Sequence, residues 1–206
     1  MLKKNLLSSF LTVATANVAD AGGDLVTVMD SGIQALTLDM KMVGPAYTVT
    51  CKGGNNLAIL QATGLAPAGS VLVINVNGYM GTGHVGDLVS SACRARGVVG
   101  IVIDGACRDV DDIIKMKFPV FSRGSCPRGN LKLKDGTINQ PIECGGIKVN
   151  PGDIIFGDGT GVVVFPQEQA QAIYDKAKEI TMKEVDILNK LQEGKTLLDI
   201  LGIEGI

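Results

Sequence analysis

The chain has 206 residues, of which 46% are hydrophobic, so it can bury one good core, and its length favours one domain with an appendage over two equal domains. Its 19 basic and 21 acidic side chains give a net charge of −2, and it has no block of basic residues that could bind a nucleic-acid backbone. No segment approaches the ~20 apolar residues of a membrane span. We therefore expect a globular protein that binds neither nucleic acid nor membrane.

The N-terminal stretch MLKKNLLSSFLTVATANVADA resembles a secretory signal, because a basic pair precedes an apolar stretch and small residues follow in an A-x-A arrangement. Polar residues interrupt the apolar run, however, and apolar side chains recur at four-residue spacing, as on one face of a helix. These side chains belong to Leu2, Leu6, Phe10, Ala14 and Val18. We expect a structural helix here and a cytoplasmic protein.

Strands and helices alternate in the middle of the chain, which indicates an α/β fold. The runs at 69–76 and 98–105 are continuously apolar, as is typical of strands buried on both faces. The predicted order is strand 42–51, helix 56–64, strand 69–76, helix 87–97, strand 98–105, helix 109–117 and strand 119–124.

Short β segments follow from about residue 131, separated by turn signals at 150–153 and 158–159, and they predict a second β layer. A long helix is predicted at 166–194, between a proline near its start and a glycine at its end. Its last third and the TLLDILGI that follows need a neighbouring surface to bury their apolar side chains. Residues 166–206 are thus expected to be a helical extension of a single domain spanning 1–206.

The five cysteines are scattered and never form a C-x-x-C pair, so we expect reduced thiols in a reducing compartment, without disulfides or a zinc site. Cys107 could be a nucleophile only if His84, the single histidine, were its base. An ordinary buried position is the favoured interpretation of Cys107, because free cysteines are commonly buried.

The ligand site is expected where the two buried strands end, because ligands of α/β sheets collect at the carboxyl ends of strands. Gly78, Gly81, Gly83 and Gly86 follow the first of these strands and lead into a helix that begins near Asp87. Glycines let a backbone approach a ligand closely, and a helix N-terminus attracts an anion such as a carboxylate. A plain turn is the alternative interpretation.

Arg108 and Asp109 follow the second strand, and Asp112 comes one helical turn later. A guanidinium can bind a carboxylate or an enolate oxygen in fork geometry, and a carboxylate is a hard ligand for Mg²⁺ or Mn²⁺. The alternative is an Arg-Asp pair that caps a helix, with Asp109 as the N-cap.

Twenty residues, 88–107, separate Asp87 from Arg108-Asp109, which gives the pattern D-x20-R-D followed by x-x-D. This pattern resembles the RraA-like family and its class II pyruvate aldolases, which act on 4-hydroxy-4-methyl-2-oxoglutarate and 4-carboxy-4-hydroxy-2-oxoadipate. The resemblance extends to LTVATANVADA, GDLVSSACRARGVVGIVIDGACRDVDDI, FPVFSRG and GGIKVNPGDIIFGDGTGVVVFP.

The resemblance implies a layered β/β/α sandwich of the swivelling-domain type, assembled as a homotrimer or a hexamer with sites near subunit interfaces. It also implies retro-aldol cleavage of a 4-hydroxy-2-oxo acid to pyruvate and a second oxo acid. Decarboxylation of oxaloacetate is then expected as a side activity, because it passes through the same pyruvate enolate.

The resemblance further implies a role for each site residue. Asp109 would hold Mg²⁺ or Mn²⁺ largely through waters, with Asp112 in support, and Arg108 would bind the keto oxygen and carboxylate of the substrate. Asp87 would position the water that protonates the enolate. Backbone amides would receive the substrate carboxylate at Gly83, His84, Val85, Gly86 and Leu88.

The same family contains non-catalytic members, in particular an inhibitor of ribonuclease E that acts by binding protein. A protein-binding regulator is therefore the alternative function, although such regulators lack the complete acid and Arg-Asp set that this chain retains. His84 stays open between a substrate contact and an ordinary loop residue, because relatives often carry an apolar or aromatic residue there.

Overall fold

The computed structural model describes residues 4–203 and the side chains from Leu6 onward, so Leu2 of the predicted N-terminal helix and residues 204–206 of the predicted extension lie outside the described residues. The strands are β1 (Thr27–Val28), β2 (Gln34–Ala35), β3 (Met42–Thr50), β4 (Val71–Val85), β5 (Gly100–Cys107), β6 (Val120–Ser125), β7 (Thr137–Ile138), β8 (Ile142–Cys144), β9 (Ile147–Val149), β10 (Ile154–Asp158) and β11 (Gly161–Phe165). The helices are α1 (Lys4–Phe10), α2 (Thr15–Gly22), α3 (Leu57–Leu65), α4 (Asp87–Ala95), α5 (Val110–Met116), α6 (Ala170–Gln192) and α7 (Leu197–Leu201). The strands and helices predicted for the middle of the chain are confirmed, but β4 continues well past its predicted end at residue 76.

Across residues 4–203, nine strands form one sheet with β3, β4, β5 and β6 parallel at its centre. β10 and β11 extend this sheet antiparallel from β3, and the short strands β1 and β2 pair with β11 and β6 at its two ends. A separate hairpin of β8 and β9 packs against β4. The change from βα units to short antiparallel strands accounts for the change in sequence character near residue 131.

Side chains of the central strands alternate between two apolar clusters. In β4, Leu72 and Ile74 belong to a cluster with residues of α3, α4 and α5, whereas Val71 and Val73 belong to a cluster with residues of β8, β9 and β11. This alternation is what burial on both faces of a strand produces. The helices α3, α4 and α5 thus cover one face of the central strands, and β8, β9 and β11 cover the other, which confirms the predicted α/β sandwich.

A second helical group covers the outer face of β10 and β11. Two helices, α1 and α2, replace the single helix expected from the four-residue spacing, because residues 11–14 form a turn between them. Phe10 and Val18 are nevertheless fully buried, as that spacing indicates. The ring of Phe10 lies 5.3 Å from that of Phe165 and 5.3 Å from that of Tyr174, so the N-terminal segment and α6 share one core.

The carboxylate of Asp158, at the end of β10, fixes the start of α2. Its Oδ2 accepts the Thr15 N–H at 2.9 Å, and its Oδ1 accepts the Thr15 hydroxyl at 2.7 Å and the Thr160 N–H at 2.9 Å. Burial raises the pKa of Asp158, but these hydrogen bonds outweigh burial and hold the pKa below its usual value. The ionised carboxylate therefore stabilises the junction between the sheet and the N-terminal helices.

Asp158→Ala is expected to lower the free energy of unfolding at pH 7 by about 2–4 kcal/mol, because buried donors lose a charged acceptor. Since the folded-state pKa is depressed, this stabilisation is present above the unfolded pKa of about 3.9 and is lost as the pH falls through the folded pKa. Urea unfolding between pH 7 and pH 3 measures it. The exposed acid Asp24 provides the control Asp24→Ala, and equal unfolding free energies for the two variants would contradict the prediction.

The predicted C-terminal helix is confirmed as a 3-10 turn at Gln167–Gln169 followed by α6. The first part of α6 is anchored, because Ala170, Ile173 and Ala177 are buried against α2 and the outer face of the sheet. In the described part of the chain, no helix combines the length and the apolar character needed to cross a membrane.

Candidate active site

The carboxyl ends of β4 and β5 meet at a cleft of about 310 Å³. The chain enters this cleft twice, once where β4 passes into α4 and once where β5 passes into α5. The cleft brings together most of the predicted site residues, namely Gly83, His84, Gly86, Asp87, Leu88, Arg108 and Asp109.

Three glycines of the predicted loop, Gly78, Gly81 and Gly83, lie within β4, and Gly86 follows its last residue, so the segment is neither a free loop nor a plain turn. β4 stays paired with β5 up to Val85, with irregularities that insert extra residues between the paired positions. A Cβ at Gly83 would collide with the Arg108 side chain and the Cys126 carbonyl, and a Cβ at Gly86 would collide with the Asp109 carboxylate. These glycines therefore allow the chain to approach its own Arg-Asp pair closely.

Asp109 occupies a left-handed backbone conformation, with φ 54° and ψ 39°, at the position before α5. Its carboxylate makes no cap hydrogen bond to its own helix, so the helix-cap alternative is not what the structure contains. The carboxylate instead accepts the Arg108 Nε–H at 3.1 Å and lies 3.4 Å from the Asp87 amide nitrogen at the start of α4. A non-glycine residue with positive φ is uncommon and is found preferentially at functional sites.

The charge state of Asp109 follows from these contacts. Burial raises the pKa of its carboxyl, but hydrogen bonds from the Arg108 side chain and the Asp87 amide, and the charge of Arg108, outweigh burial and hold the pKa below its usual value. The Asp87 side chain also interacts with this carboxyl and lowers its pKa. The cleft thus contains an ionised carboxylate with a second carboxyl group beside it.

Arg108 leaves part of its guanidinium open to the cleft. Its backbone N–H donates to the Val85 carbonyl at 2.8 Å, and its Nε–H donates to Asp109. Among residues 4–203, no hydrogen bond engages its two terminal nitrogens, and the side chain is 40% exposed. Those nitrogens are available to bind an anion in the cleft.

Two predicted site residues lie elsewhere. The side chain of Val85 is fully buried in the core beneath the helices, and only its carbonyl takes part in the site. Asp112 lies outside the cleft and forms a surface ion pair with Lys115 at 3.1 Å. The structure therefore does not support Asp112 as a residue that assists the metal ligand.

Fewer backbone N–H groups of the segment 83–88 are free to bind a carboxylate than the sequence predicts. The Gly83 N–H donates to the Arg128 carbonyl at 2.9 Å, and the Asp87 N–H points at Asp109. Leu88 places a side chain that is 78% exposed at the rim of the cleft. The N–H groups of Gly83 and Asp87 are therefore already engaged within the chain, whereas the terminal nitrogens of Arg108 are not.

His84 forms part of the cleft floor and is 1% exposed. Its Nε2 accepts the Gly54 N–H at 3.1 Å, so the neutral ring carries its proton on Nδ1. Burial lowers the pKa of His84, which favours the neutral ring. The ring connects the turn at Gly54 to β4, which favours a structural role over a substrate contact.

The segment 126–136 closes one side of the cleft through Gly129, Asn130 and Lys132, a contribution that the sequence does not predict. Asn130 donates to the Gly83 carbonyl at 2.7 Å and accepts the Thr82 hydroxyl at 2.6 Å, and Lys132 places a cation at the edge of the cleft. Asn55 holds the far end of this segment through both backbone groups of Leu133. The basic, turn-rich sequence CPRGNLKLKDG predicts a loop. It does not reveal which strands this loop crosses.

The oxygen donors of the cleft are suited to a weakly held hard cation. Asp109 and Asp87 offer carboxylate oxygens, which Mg²⁺ and Mn²⁺ prefer. In the part of the chain that the structure describes, no group of three or more His, Cys, Asp or Glu side chains could hold a metal ion. The residues therefore fit a cation that keeps most of its waters, and they do not fit a closed all-protein metal site.

Comparison with known proteins identifies the family. A family model described as RraA-like, Aldolase/RraA, matches residues 15–164. The chain belongs to the RraA-like family. This RraA-like protein is 38% identical over 175 residues to a Halalkalibacterium halodurans protein with the provisional name 4-hydroxy-4-methyl-2-oxoglutarate aldolase, and the match covers 85% of this chain and 83% of that relative.

Solved structures show the same fold. A protein of Pseudomonas syringae pv. tomato has a TM-score of 0.86 at 30% identity, with 96% of this chain and 93% of that chain covered. RraAS2 of Streptomyces coelicolor, described as an unusual member of the RNase ES inhibitor RraA protein family, has a TM-score of 0.77 at 28% identity, with 89% and 95% covered. The RraA-like fold thus occurs in proteins with different described activities. The function of this chain therefore has to be inferred from the residues of its cleft and not from the fold alone.

Proposed function

We propose that this chain is a divalent-metal-dependent carbon–carbon lyase that cleaves a 4-hydroxy-2-oxo acid to pyruvate and a second oxo acid. The observation that carries the proposal is the convergence of Asp87, Arg108 and Asp109 in one cleft, where Asp109 adopts a left-handed conformation and leaves its own helix uncapped. The aldolase name of the Halalkalibacterium relative supports the same reaction class.

In the cleavage, the bond between C3 and C4 of the substrate breaks. Its electron pair forms the enolate of pyruvate, the 4-hydroxyl loses its proton as C4 becomes a carbonyl carbon, and C3 then takes a proton. Arg108 binds the carboxylate and the keto oxygen through its terminal nitrogens, so its charge stabilises the negative charge that develops on that oxygen. Lys132 adds a second cation at the cleft edge, which favours an anionic substrate.

The two acids take different parts in this proposal. Asp109 would hold Mg²⁺ or Mn²⁺ largely through waters, and the bound cation would supply Lewis-acid polarisation of the 2-oxo group. Asp87 positions the water that delivers the proton to C3. Decarboxylation of oxaloacetate, which forms the same enolate, is proposed as a side activity.

A protein-binding regulator remains the second candidate, because RraAS2 is described as a member of an inhibitor family and shares the fold. A regulator that acts only through its surface has no need for a left-handed Asp109 or for glycines that fit around the Arg-Asp pair. We also propose that the protein is cytoplasmic and assembles as a homotrimer or a hexamer, without nucleic acid or membrane as a partner.

Pyruvate release from a panel of 4-hydroxy-2-oxo acids and from oxaloacetate tests the proposed reaction. We expect activity that is lost in excess chelator and restored by Mg²⁺ or Mn²⁺, because so few protein ligands hold the cation weakly. Full activity in excess chelator would contradict the metal-dependent mechanism. The absence of pyruvate release from every substrate, with metal present, would favour the regulator.

A further inference from the structure

Residues 126–136, which we call the crossing segment, carry a cleft residue without forming a helix or a strand. The structure describes all of them, and they run from the end of β6 to the start of β7. Lys132 lies in this segment and lines the cleft. An irregular segment keeps one position only when its backbone groups find partners elsewhere in the chain. The position of Lys132 therefore depends on what holds the residues on either side of it.

The residue before Lys132 is held by the turn that precedes α3. The Leu131 N–H donates to the Gly54 carbonyl at 2.9 Å, and the Leu131 carbonyl accepts the Asn56 N–H at 3.2 Å. Asn55 and Leu131 are thereby paired in a parallel β bridge. The same turn contributes Asn56 to the lining of the cleft. It thus joins the crossing segment to a second part of the cleft lining.

The residue after Lys132 is held by a single side chain, that of Asn55, which is 3% exposed. Asn55 Nδ2 donates to the Leu133 carbonyl at 2.7 Å, and Asn55 Oδ1 accepts the Leu133 N–H at 2.9 Å. Nδ2 also donates to Asp135 Oδ1 at 2.7 Å, and Oδ1 accepts the Leu57 N–H at the start of α3 at 3.4 Å. Both donor hydrogens and both acceptor positions of the amide are therefore used.

The chemistry of these four hydrogen bonds specifies asparagine. Aspartate has the same shape, but it has no donor for the Leu133 carbonyl and would place a buried negative charge beside Asp135. Alanine would leave all four partners without the amide. Three of the four hydrogen bonds go to Leu133 or Asp135, just after Lys132, and the fourth goes to the first residue of α3. Asn55 thus fixes the crossing segment relative to α3.

We propose that Asn55 is a positioning residue that fixes Lys132 at the cleft edge, where the ammonium group binds an anionic group of the substrate. This inference rests on the proposed function for the class of substrate. Asn55 is not among the residues that line the cleft, so it acts through Lys132. Asp87, Arg108 and Asp109 follow β4 and β5 and keep their own contacts. Loss of Asn55 therefore weakens binding of a second anionic group and leaves binding of the 2-oxo acid group unchanged.

Calorimetric titration of the full chain with 2-oxoglutarate and with pyruvate, with Mg²⁺ present, tests the proposal. 2-Oxoglutarate carries a second carboxylate and lacks a 4-hydroxyl group, so it can bind without retro-aldol cleavage. Lys132→Ala and Asn55→Asp are each expected to raise the Kd of 2-oxoglutarate about tenfold, the size of one charge-assisted contact, with the Kd of pyruvate unchanged. The double variant is expected to lose no more than either single variant, because both changes remove the same contact.

Two further variants separate positioning from other effects. Asn55→Ala adds no charge and is expected to show the same change in Kd as Asn55→Asp, which separates lost positioning from an added negative charge. It also avoids a buried charge, so it tests the proposal if Asn55→Asp does not fold. Asn150→Asp is the matched control, because the Asn150 amide also donates to a carboxylate, that of Asp153, at 3.1 Å between β9 and β10. It is expected to keep the wild-type Kd for both acids.

Three results would overturn the proposal. In the first, the Asn55 variants weaken binding of pyruvate and 2-oxoglutarate equally, as a general structural defect would. In the second, Lys132→Ala leaves the Kd of 2-oxoglutarate unchanged. In the third, the losses of the two single variants add to about 100-fold in the double variant, so that Asn55 acts independently of Lys132. A chain that shows the expected binding but releases no pyruvate from any substrate would contradict the proposed reaction alone and support the role of Asn55.

Discussion

Asp109→Ala is expected to reduce both aldol cleavage and oxaloacetate decarboxylation by ~10²-fold or more, because one strong electrostatic stabiliser of the enolate is lost. The variant removes the carboxylate that would hold the cation and also the acceptor that orients Arg108. Steady-state pyruvate release measures the loss of activity. Binding of Mn²⁺, followed by its electron paramagnetic resonance signal, measures the loss of the cation without requiring turnover.

The backbone at Asp109 decides which second variant is needed. Alanine is disfavoured at φ 54°, so Asp109→Ala combines the loss of charge with backbone strain. Asparagine tolerates this conformation, so Asp109→Asn isolates the charge and is expected to show the same losses of activity and Mn²⁺ binding in a folded protein. Asp112→Ala is the matched control, because that acid is exposed and outside the cleft. Wild-type activity and Mn²⁺ binding in Asp109→Asn would rule out the proposed role.

The sequence predicted the central strands because their burial leaves a direct signal. Strands covered on both faces are continuous apolar runs, and glycines and polar residues separate them from the helices. The end of β5 was nevertheless predicted too early, at Asp104-Gly105. Asp104 is buried within β5, where its carboxylate accepts hydrogen bonds from Arg123 and from the Gly145 amide. Partners that are distant in the sequence make an acid acceptable inside a strand, and a single sequence does not reveal them.

The extent of β4 was also underestimated, for a related reason. Asn77 and Gly78 have positive φ, and the glycines after them indicate a loop by every local rule. The segment stays in the sheet because β5 continues to pair with it after the inserted residues, up to Val85. Only the neighbouring strand decides this, so local sequence cannot distinguish an interrupted strand from a loop.

The sequence predicts the central residues of the site, but it does not predict every residue that lines the cleft. Asp87, Arg108 and Asp109 do meet in one cleft, as the strand ends and the family pattern indicate. Asp112 lies outside the cleft, where it forms an exposed ion pair with Lys115. Lys132 was missed, because it reaches the cleft from a crossing segment.

Asp87→Asn is expected to slow exchange of the pyruvate methyl protons with deuterated solvent by ~10²-fold, because positioned proton transfer contributes at least that much. The Asp87 backbone amide still points at Asp109, so the conformation of the Arg-Asp pair should persist. Binding of Mn²⁺ and pyruvate should therefore stay near the wild-type values. Loss of exchange with retained binding distinguishes Asp87 from Asp109, whose variants are expected to lose both.

A structural role for Asp87 makes the opposite prediction. The first position of α4 favours an acid through the helix dipole, so a purely structural Asp87 would lose stability on substitution while the soluble protein exchanged protons at the wild-type rate. Proton magnetic resonance of pyruvate, combined with urea unfolding of the same samples, separates the two cases. Asp24→Asn, at an exposed acid in the first turn of the short 3-10 helix after α2, controls for the loss of such a charge. An exchange defect in Asp87→Asn alone, at unchanged stability, would establish that this carboxylate acts on the proton that C3 receives.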